Sequence, residues 1–102
     1  MTGAPLDLKA ATIVDFEPLV GETFRLTADQ ESTNLTLSAV EPSSHTMPGA
    51  RAGFSLFFDG PPEVVIQQQI HLLSNEKTGP IEVFLVPISG DAQRRRYQAV
   101  FN

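Results

Sequence analysis

The sequence predicts a mainly all-β fold, in which about six antiparallel strands form a small barrel or a sandwich-like meander with one short N-terminal helix. Apolar and polar residues alternate through several short segments, which is typical of strands with one buried face. Turn residues separate these segments at short intervals, which favours hairpin connections. A chain of 102 residues has the size of one ordinary domain, so we expect a single core.

The helix is predicted within residues 12–20. One helical face would carry the apolar residues of this segment, which are Ile13, Phe16, Leu19 and Val20. Gly21 offers a C-terminal stop, and Thr12 followed by Asp15 resembles a capping box. Pro18 leaves two alternatives, because an interior proline disturbs a helix. Either the helix begins at Thr12 and kinks, or Asp15 is the cap and Pro18 lies in the first turn.

Strands are predicted in every later part of the chain, over residues 23–27, 35–39, 53–58, 67–73, 81–86 and 95–101. Prolines 61 and 62 are expected to end the third strand, and Pro87 the fifth, because proline cannot donate to a strand ladder. Residues 43–50 form the longest polar segment and are expected to be the most mobile loop. Gly79 closes a hairpin loop at the position where a left-handed conformation is wanted.

The predicted organisation is a flexible N-terminal arm over residues 1–11 and a single small β-barrel domain over residues 12–102. Residues 64–66 are apolar and follow two prolines, so we expect them to cover one end of the barrel. No basic stretch followed by an apolar run occurs at the N-terminus, which predicts a cytoplasmic protein without a signal peptide. Export by a signal-independent route or incorporation into a particle is also compatible with this. No apolar run is long enough for a membrane helix, so no membrane insertion is expected.

The charge of the chain argues against a nucleic-acid partner. Its net charge is −5, whereas binding to phosphates relies on basic side chains. The one basic run, residues 94–96, lies in a predicted strand and must alternate between its two faces. We interpret this run as a solvated strand edge, or alternatively as a docking patch for an acidic partner.

Residue types that carry chemistry are scarce. The sequence has no cysteine, and its two histidines, His45 and His71, lack the spacing of a metal site. There is no nucleophile elbow and no glycine-rich phosphate loop. We therefore predict no catalytic, cofactor-binding or metal-binding residues, no cofactor, and a protein that is not an enzyme.

The third and fifth strands carry a surplus of apolar residues. Phe57 and Phe84 each lie on the face opposite the regular apolar set of their strand. If both are exposed, they form an apolar patch suited to a protein partner or to a second copy of the chain. If the N-terminal helix or a loop covers them, they belong to the core. The predicted interaction surface comprises Phe57, Phe84, Val64, Val65 and Arg95.

Four segments resemble, in order, a family of small bacterial domains of unknown function. They are DFEPLVGETFRL at residues 15–26, FSLFFDGP at 54–61, EVFLVPI at 82–88 and YQAVFN at 97–102. Domains of this kind are often seen near phage-tail-collar-type fibre proteins. The resemblance therefore implies a role in the assembly or attachment of phage-tail-like or surface fibres.

Two functional hypotheses follow. The first is a non-enzymatic structural or interaction module that self-associates or docks on a protein partner. The alternative is a small-ligand-binding β-barrel with its pocket near Pro61, Pro62 and the loop of residues 43–50. A solid barrel interior would argue against the alternative.

Overall fold

The computed structural model describes residues 11–28, 31–42 and 53–101. A one-turn helix, α1 (Ile13–Phe16), continues as a 3₁₀ turn (Glu17–Leu19). Six strands follow, which are β1 (Thr23–Ala28), β2 (Glu31–Pro42), β3 (Phe54–Gly60), β4 (Gln69–Asn75), β5 (Gly79–Gly90) and β6 (Arg95–Phe101). Residues 1–10 of the predicted N-terminal arm and the predicted loop 43–50 lie outside the described residues, whereas Ala11 is buried.

The strands form a closed antiparallel barrel in the order β1-β2-β3-β6-β5-β4, which confirms the predicted fold class. Consecutive strands pair within two three-stranded meanders, β1–β3 and β4–β6. β3 pairs with β6, and β4 pairs with β1, so these two pairings close the barrel. The chain therefore does not form one simple meander, because β3 and β4 are not neighbours. Residues 61–68, which we call the crossover, connect them.

Two strands are longer than their sequence patterns predicted. β2 begins at Glu31, because the polar residues 31–34, which lie before the predicted strand, form backbone pairs with β1. β5 does not end at Pro87, which lies opposite Tyr97. The β5–β6 register shifts between Pro87 and Ser89, and such an irregularity is where a strand can accept a residue without an N–H.

Large apolar side chains fill the barrel interior. Phe24 and Phe58 make an edge-to-face contact with their ring centroids 5.5 Å apart. The other inward-facing side chains are similarly buried and come from all six strands, among them Leu26, Leu35, Leu37, Leu56, Leu73, Val83, Leu85, Tyr97 and Ala99. A barrel of this size has just enough interior for its side chains, so its core is packed.

The helical segment plugs one end of the barrel. Phe16 is buried, and its ring centroid lies 5.7 Å from that of Phe54 and 5.8 Å from that of Phe101. The helix begins after Thr12, whose backbone N–H donates to the Asp15 carboxylate at 2.8 Å, as in the first of the two predicted alternatives. In place of the predicted kink, the chain changes to a 3₁₀ turn that contains Pro18.

The crossover covers the opposite end of the barrel, as we predicted for residues 64–66. Ile66 is buried, and Val64 packs against the core. Three strand side chains donate hydrogen bonds to crossover carbonyls: Arg95 Nε to Pro62 at 2.8 Å, Tyr97 Oη to Val64 at 3.4 Å and His71 Nε2 to Gln67 at 2.7 Å. The crossover is thereby fixed on the barrel at both halves of its length.

Candidate interaction surface

The outer surface of the barrel differs in polarity from one side to the other. The outward side chains of β1 and β2 are polar and exposed, including Thr23, Arg25, Thr27, Asn34 and Thr36. This is the usual pattern of a strand with one solvated face. This polar wall contrasts with the opposite wall of the barrel, in which β5 lies diametrically across from β2.

Strands β4, β5 and β6 expose large apolar side chains instead. We define the outer apolar face as Ile70, Leu72, Phe84 and Val100. Ile70 is 63% exposed and lies opposite Phe84, which is 49% exposed. Val100 is 55% exposed on β6, two residues beyond Gln98, whose partner on β5 is Val86. Phe84 lies two residues beyond Val86 in the same direction, past the last paired residues of β5 and β6, so Phe84 and Val100 lie on the same outer side of neighbouring strands.

The helix does not cover this face. Its buried residue Phe16 packs into the barrel end, as described above, and leaves the outer wall of β5 open. Phe57 is only half-buried on the outer side of β3. It lies opposite Gln98, whose side chain donates to the hydroxyl of Ser55, so polar groups separate Phe57 from the outer apolar face. Phe57 and Phe84 therefore do not form one patch.

The remaining predicted surface residues lie on the covered end of the barrel. Val65 is exposed on the crossover, while Val64 is partly buried against the core. Arg95 is half-buried and holds the carbonyl of Pro62. Of the five residues that the sequence singled out, Phe84 and Val65 are thus the well-exposed apolar ones, and they lie on different parts of the surface.

Charged side chains of both signs lie near the outer apolar face. Glu82 is exposed and lies opposite Leu72, and Arg25 of β1 is exposed and lies opposite Ser74, two residues from Leu72 on β4. Arg94, just before β6, and Arg96 on β6 both bind the carboxylate of Asp59, at 3.2 and 2.9 Å. The hydrogen bond that Arg96 donates to Asp59 and the negative charge of that carboxylate raise the pKa of Arg96. The outer apolar face consequently has a carboxylate, Glu82, on its β5 side and a guanidinium, Arg25, at its β1 edge.

A second surface feature is an open groove of about 470 Å³ between the crossover and the β1–β2 hairpin. It includes Val65 and the buried His71. The groove lies beside the crossover, near Pro61 and Pro62. The loop of residues 43–50, the other part of the predicted pocket, lies outside the described residues. The packed core leaves the groove as the place where a ligand could bind. Within residues 11–28, 31–42 and 53–101, no three or more His, Asp or Glu side chains are grouped for a metal ion.

Sequence reasoning missed three residues of the outer apolar face, Ile70, Leu72 and Val100. The segment IHLL at residues 70–73 contains three apolar residues and a histidine. Apolar and polar residues do not alternate clearly here, so the pattern does not reveal whether residues 70 and 72 or residues 71 and 73 point into the barrel. The structure buries His71 and Leu73 and exposes the other two. The histidine is accepted inside because the Gln67 carbonyl accepts its N–H.

Comparison with known proteins gives one match. The model of a family described as Domain of unknown function (DUF6916) matches residues 11–101. No curated protein and no solved structure matches the chain. None of the helices in the part of the chain that the structure describes is long and apolar enough to cross a membrane.

Proposed function

The chain belongs to the DUF6916 family, and we propose that it is a non-enzymatic interaction module that binds a protein partner through the outer apolar face. The observation that carries this proposal is the exposure of Ile70, Phe84 and Val100 on one wall of a barrel whose opposite wall is polar. Contiguous exposed apolar side chains are uncommon on isolated domains and mark interaction sites. A closed barrel has no free strand edge, so the contact must be made by side chains.

The partner is a different protein, with an apolar contact surface bordered by basic side chains. Its charge follows from the net charge of −5 of this chain, and Glu82 opposite Leu72 is the carboxylate that a basic side chain of the partner would meet. Two copies of this chain meeting at the same face would bring like charges together, which costs free energy across an interface. A basic partner gains from the same charges.

The non-enzymatic character is supported by what the ionisable side chains do. Asp59 pairs with two arginines, and Glu22 pairs with Lys77 at 2.8 Å. His71 donates to a backbone carbonyl of the crossover. Each of these groups has a structural partner, and each stabilises a connection between strands or the crossover.

The biological setting in this proposal is the one that the sequence resemblance implies, the assembly or attachment of phage-tail-like or surface fibres. In that setting the domain is made in the cytoplasm and docks on a fibre or assembly protein. A rigid barrel with one apolar wall suits such docking, because little conformational entropy is lost when it binds.

Site-specific photo-crosslinking in the native host tests the proposal. A benzophenone amino acid at position 84 is expected to crosslink to one defined polypeptide, and mass spectrometry maps the crosslinked site on that partner. The same amino acid at position 36, exposed on the polar wall, is the matched control and should give no such product. An Ile70→Asp background should abolish the crosslink from position 84.

Sedimentation equilibrium distinguishes binding to a different protein from self-association of this chain. We expect the purified chain to stay monomeric at tens of micromolar. A dimer that Phe84→Asp dissociates would show that a second copy uses this face, which contradicts the basic partner. Equal crosslinking from positions 84 and 36 would contradict the outer apolar face itself.

A further inference from the structure

The groove beside the crossover has a rigid wall and an apolar floor, and its formation does not depend on the outer apolar face. Three hydrogen bonds from β4 and β6 side chains hold the crossover, as described above. Val64, Val65 and Ile66 supply the apolar lining, and Val65 remains 64% exposed beside the buried Ile66. A volume of about 470 Å³ lies within the range that small-molecule sites occupy.

The charged groups of the groove are all anionic. Glu31 from the start of β2 and Glu63 from the crossover line it from two sides. No lysine or arginine is among the described residues that line it. Arg94 and Arg96 pair with Asp59, and none of these three residues lines the groove. A ligand in this groove therefore meets hydrogen-bond acceptors with negative charge above an apolar floor.

His71 adds a third acceptor, deeper in the groove. Its side chain is only 5% exposed, and its Nε2 must be the donor at 2.7 Å because the Gln67 carbonyl can only accept. In the neutral ring Nδ1 then carries a lone pair. Among the described residues Nδ1 has no hydrogen-bond partner, yet no buried side-chain nitrogen or oxygen is left unsatisfied, so Nδ1 reaches the solvent of the groove that His71 lines. A 95%-buried ring thus presents an unused acceptor to the groove.

We infer that this groove binds a primary ammonium group carried on an aliphatic chain. The ammonium has three donors and no acceptor, which matches two carboxylates and an imidazole nitrogen. The aliphatic chain matches the lining formed by Val64, Val65 and Ile66. A free alkylamine and the side chain of a lysine in a polypeptide both carry this chemistry.

Nuclear magnetic resonance titration of the full chain tests the inference. The probes are 1,5-diaminopentane for a free amine and Nα-acetyl-lysine N-methylamide for a lysine in a polypeptide. The uncharged control is Nα-acetyl-norleucine N-methylamide, which keeps the aliphatic chain and lacks the ammonium. We expect at least one of the two amines to shift the backbone amide signals of residues 63–71 in a saturable manner, and the norleucine compound to leave them unchanged. The tighter of the two amines identifies the source.

The imidazole nitrogens of His71 provide an independent readout. We expect the Nε2–H tautomer in the free protein and a nitrogen-15 shift of Nδ1 when the amine binds, with the signals assigned through His45→Gln. A folded double variant, Glu31→Gln with Glu63→Gln, should raise the Kd of the tighter amine by about 3- to 10-fold, since each exposed charge contact contributes modestly. Glu82→Gln, which removes an exposed carboxylate on β5, is the matched control and should leave the Kd unchanged.

Three results would overturn the inference. They are the absence of saturable shifts with both amines, equal shifts with the norleucine compound, and equal weakening by Glu82→Gln and by the double variant. None of these results bears on the outer apolar face, which lies on β4, β5 and β6 and is tested by crosslinking.

Discussion

Gly60, at the end of β3, lies against the side chain of Leu35 inside the barrel. A Cβ atom at this position would stand 2.7 Å from Cδ2 of Leu35 and 3.5 Å from the ring of Tyr97. Both neighbours are fully buried and packed, so neither can move away freely. The glycine is required here by a close approach between a strand and the core.

We predict that Gly60→Ala lowers the free energy of unfolding by about 1–3 kcal/mol, the usual cost of overpacking a core. Urea denaturation followed by circular dichroism measures the change. Gly90→Ala is the control, because a Cβ there meets its nearest atom at 3.4 Å and lies on the exposed end of β5. A Gly60→Ala protein as stable as the control would contradict the close contact with Leu35.

Asp91 organises the turn between β5 and β6 through its carboxylate. Oδ1 accepts the backbone N–H of Gln93 at 2.8 Å and that of Arg94 at 3.0 Å. These hydrogen bonds, followed by the charge of Arg94, lower the pKa of Asp91 below its ordinary value of 3.8. Because the folded-state pKa is depressed, the contribution to stability is present above pH 3.8 and is lost as the pH falls through the folded-state value.

Asp91→Asn should therefore destabilise the protein at pH 6 and lose this effect in acid. The measurement is the urea midpoint of the two proteins as a function of pH. We expect the difference between them to shrink progressively below pH 3.8. A difference that stays constant down to pH 2 would show that the charge of Asp91 does not support the turn.

At the scale of elements, the helical segment closes one end of the barrel. A single turn of helix is too short to be stable by itself, so its packing must supply the stability. Phe16 does this through its contacts with Phe54 and Phe101, whose rings also stack on each other with centroids 4.9 Å apart. Gly21, with φ at 94°, then turns the chain into β1.

Phe16→Ala is predicted to lower the free energy of unfolding by about 3–5 kcal/mol, because it removes a large buried ring and leaves a cavity. Val14→Ala, on the exposed side of the same turn, is the matched control and should cost well under about 1 kcal/mol. Chemical denaturation compares the two variants. Equal effects of the two substitutions would contradict the claim that packing of Phe16 at the end of the barrel stabilises the domain.

Local patterns predicted the elements wherever one residue type dominated the outcome. The alternation of residues 95–101 gave β6 with its observed bounds, and the φ of Gly79 is 70°, the left-handed conformation that the hairpin loop requires. The prediction that β5 ends at Pro87 was wrong, because a strand can continue through a proline where the register of the neighbouring strand requires no N–H from it. The pairing of Pro87 with Tyr97 is a tertiary property that one strand does not reveal.

The surface was harder to predict than the core for a related reason. Phe84 could be placed on the outer side of its strand, but its neighbour Ile70 comes from the adjacent strand β4. The register of the β4–β5 pairing brings the two together, and the sequence pattern of one strand does not reveal that register. The groove likewise depends on the crossover, whose position follows from the pairings of β3 with β6 and of β4 with β1.

At the scale of the whole molecule, closure of the barrel decides how the domain can interact. All six strands are paired on both sides, so addition of a seventh strand is prevented. The polar wall of β1 and β2 is compatible with water, whereas the wall of β4, β5 and β6 leaves apolar surface exposed. The central claim is that this exposed surface is the contact made with a basic protein partner.

The affinity of the purified chain for the partner captured from position 84 tests this claim most directly. Isothermal titration calorimetry would compare wild type with Phe84→Asp on the outer apolar face and Thr36→Asp on the polar wall. We predict that Phe84→Asp raises the Kd by about tenfold or more, since a buried aromatic anchor is lost, and that Thr36→Asp leaves it within about twofold. An unchanged Kd for Phe84→Asp, with the protein still folded, would contradict the account.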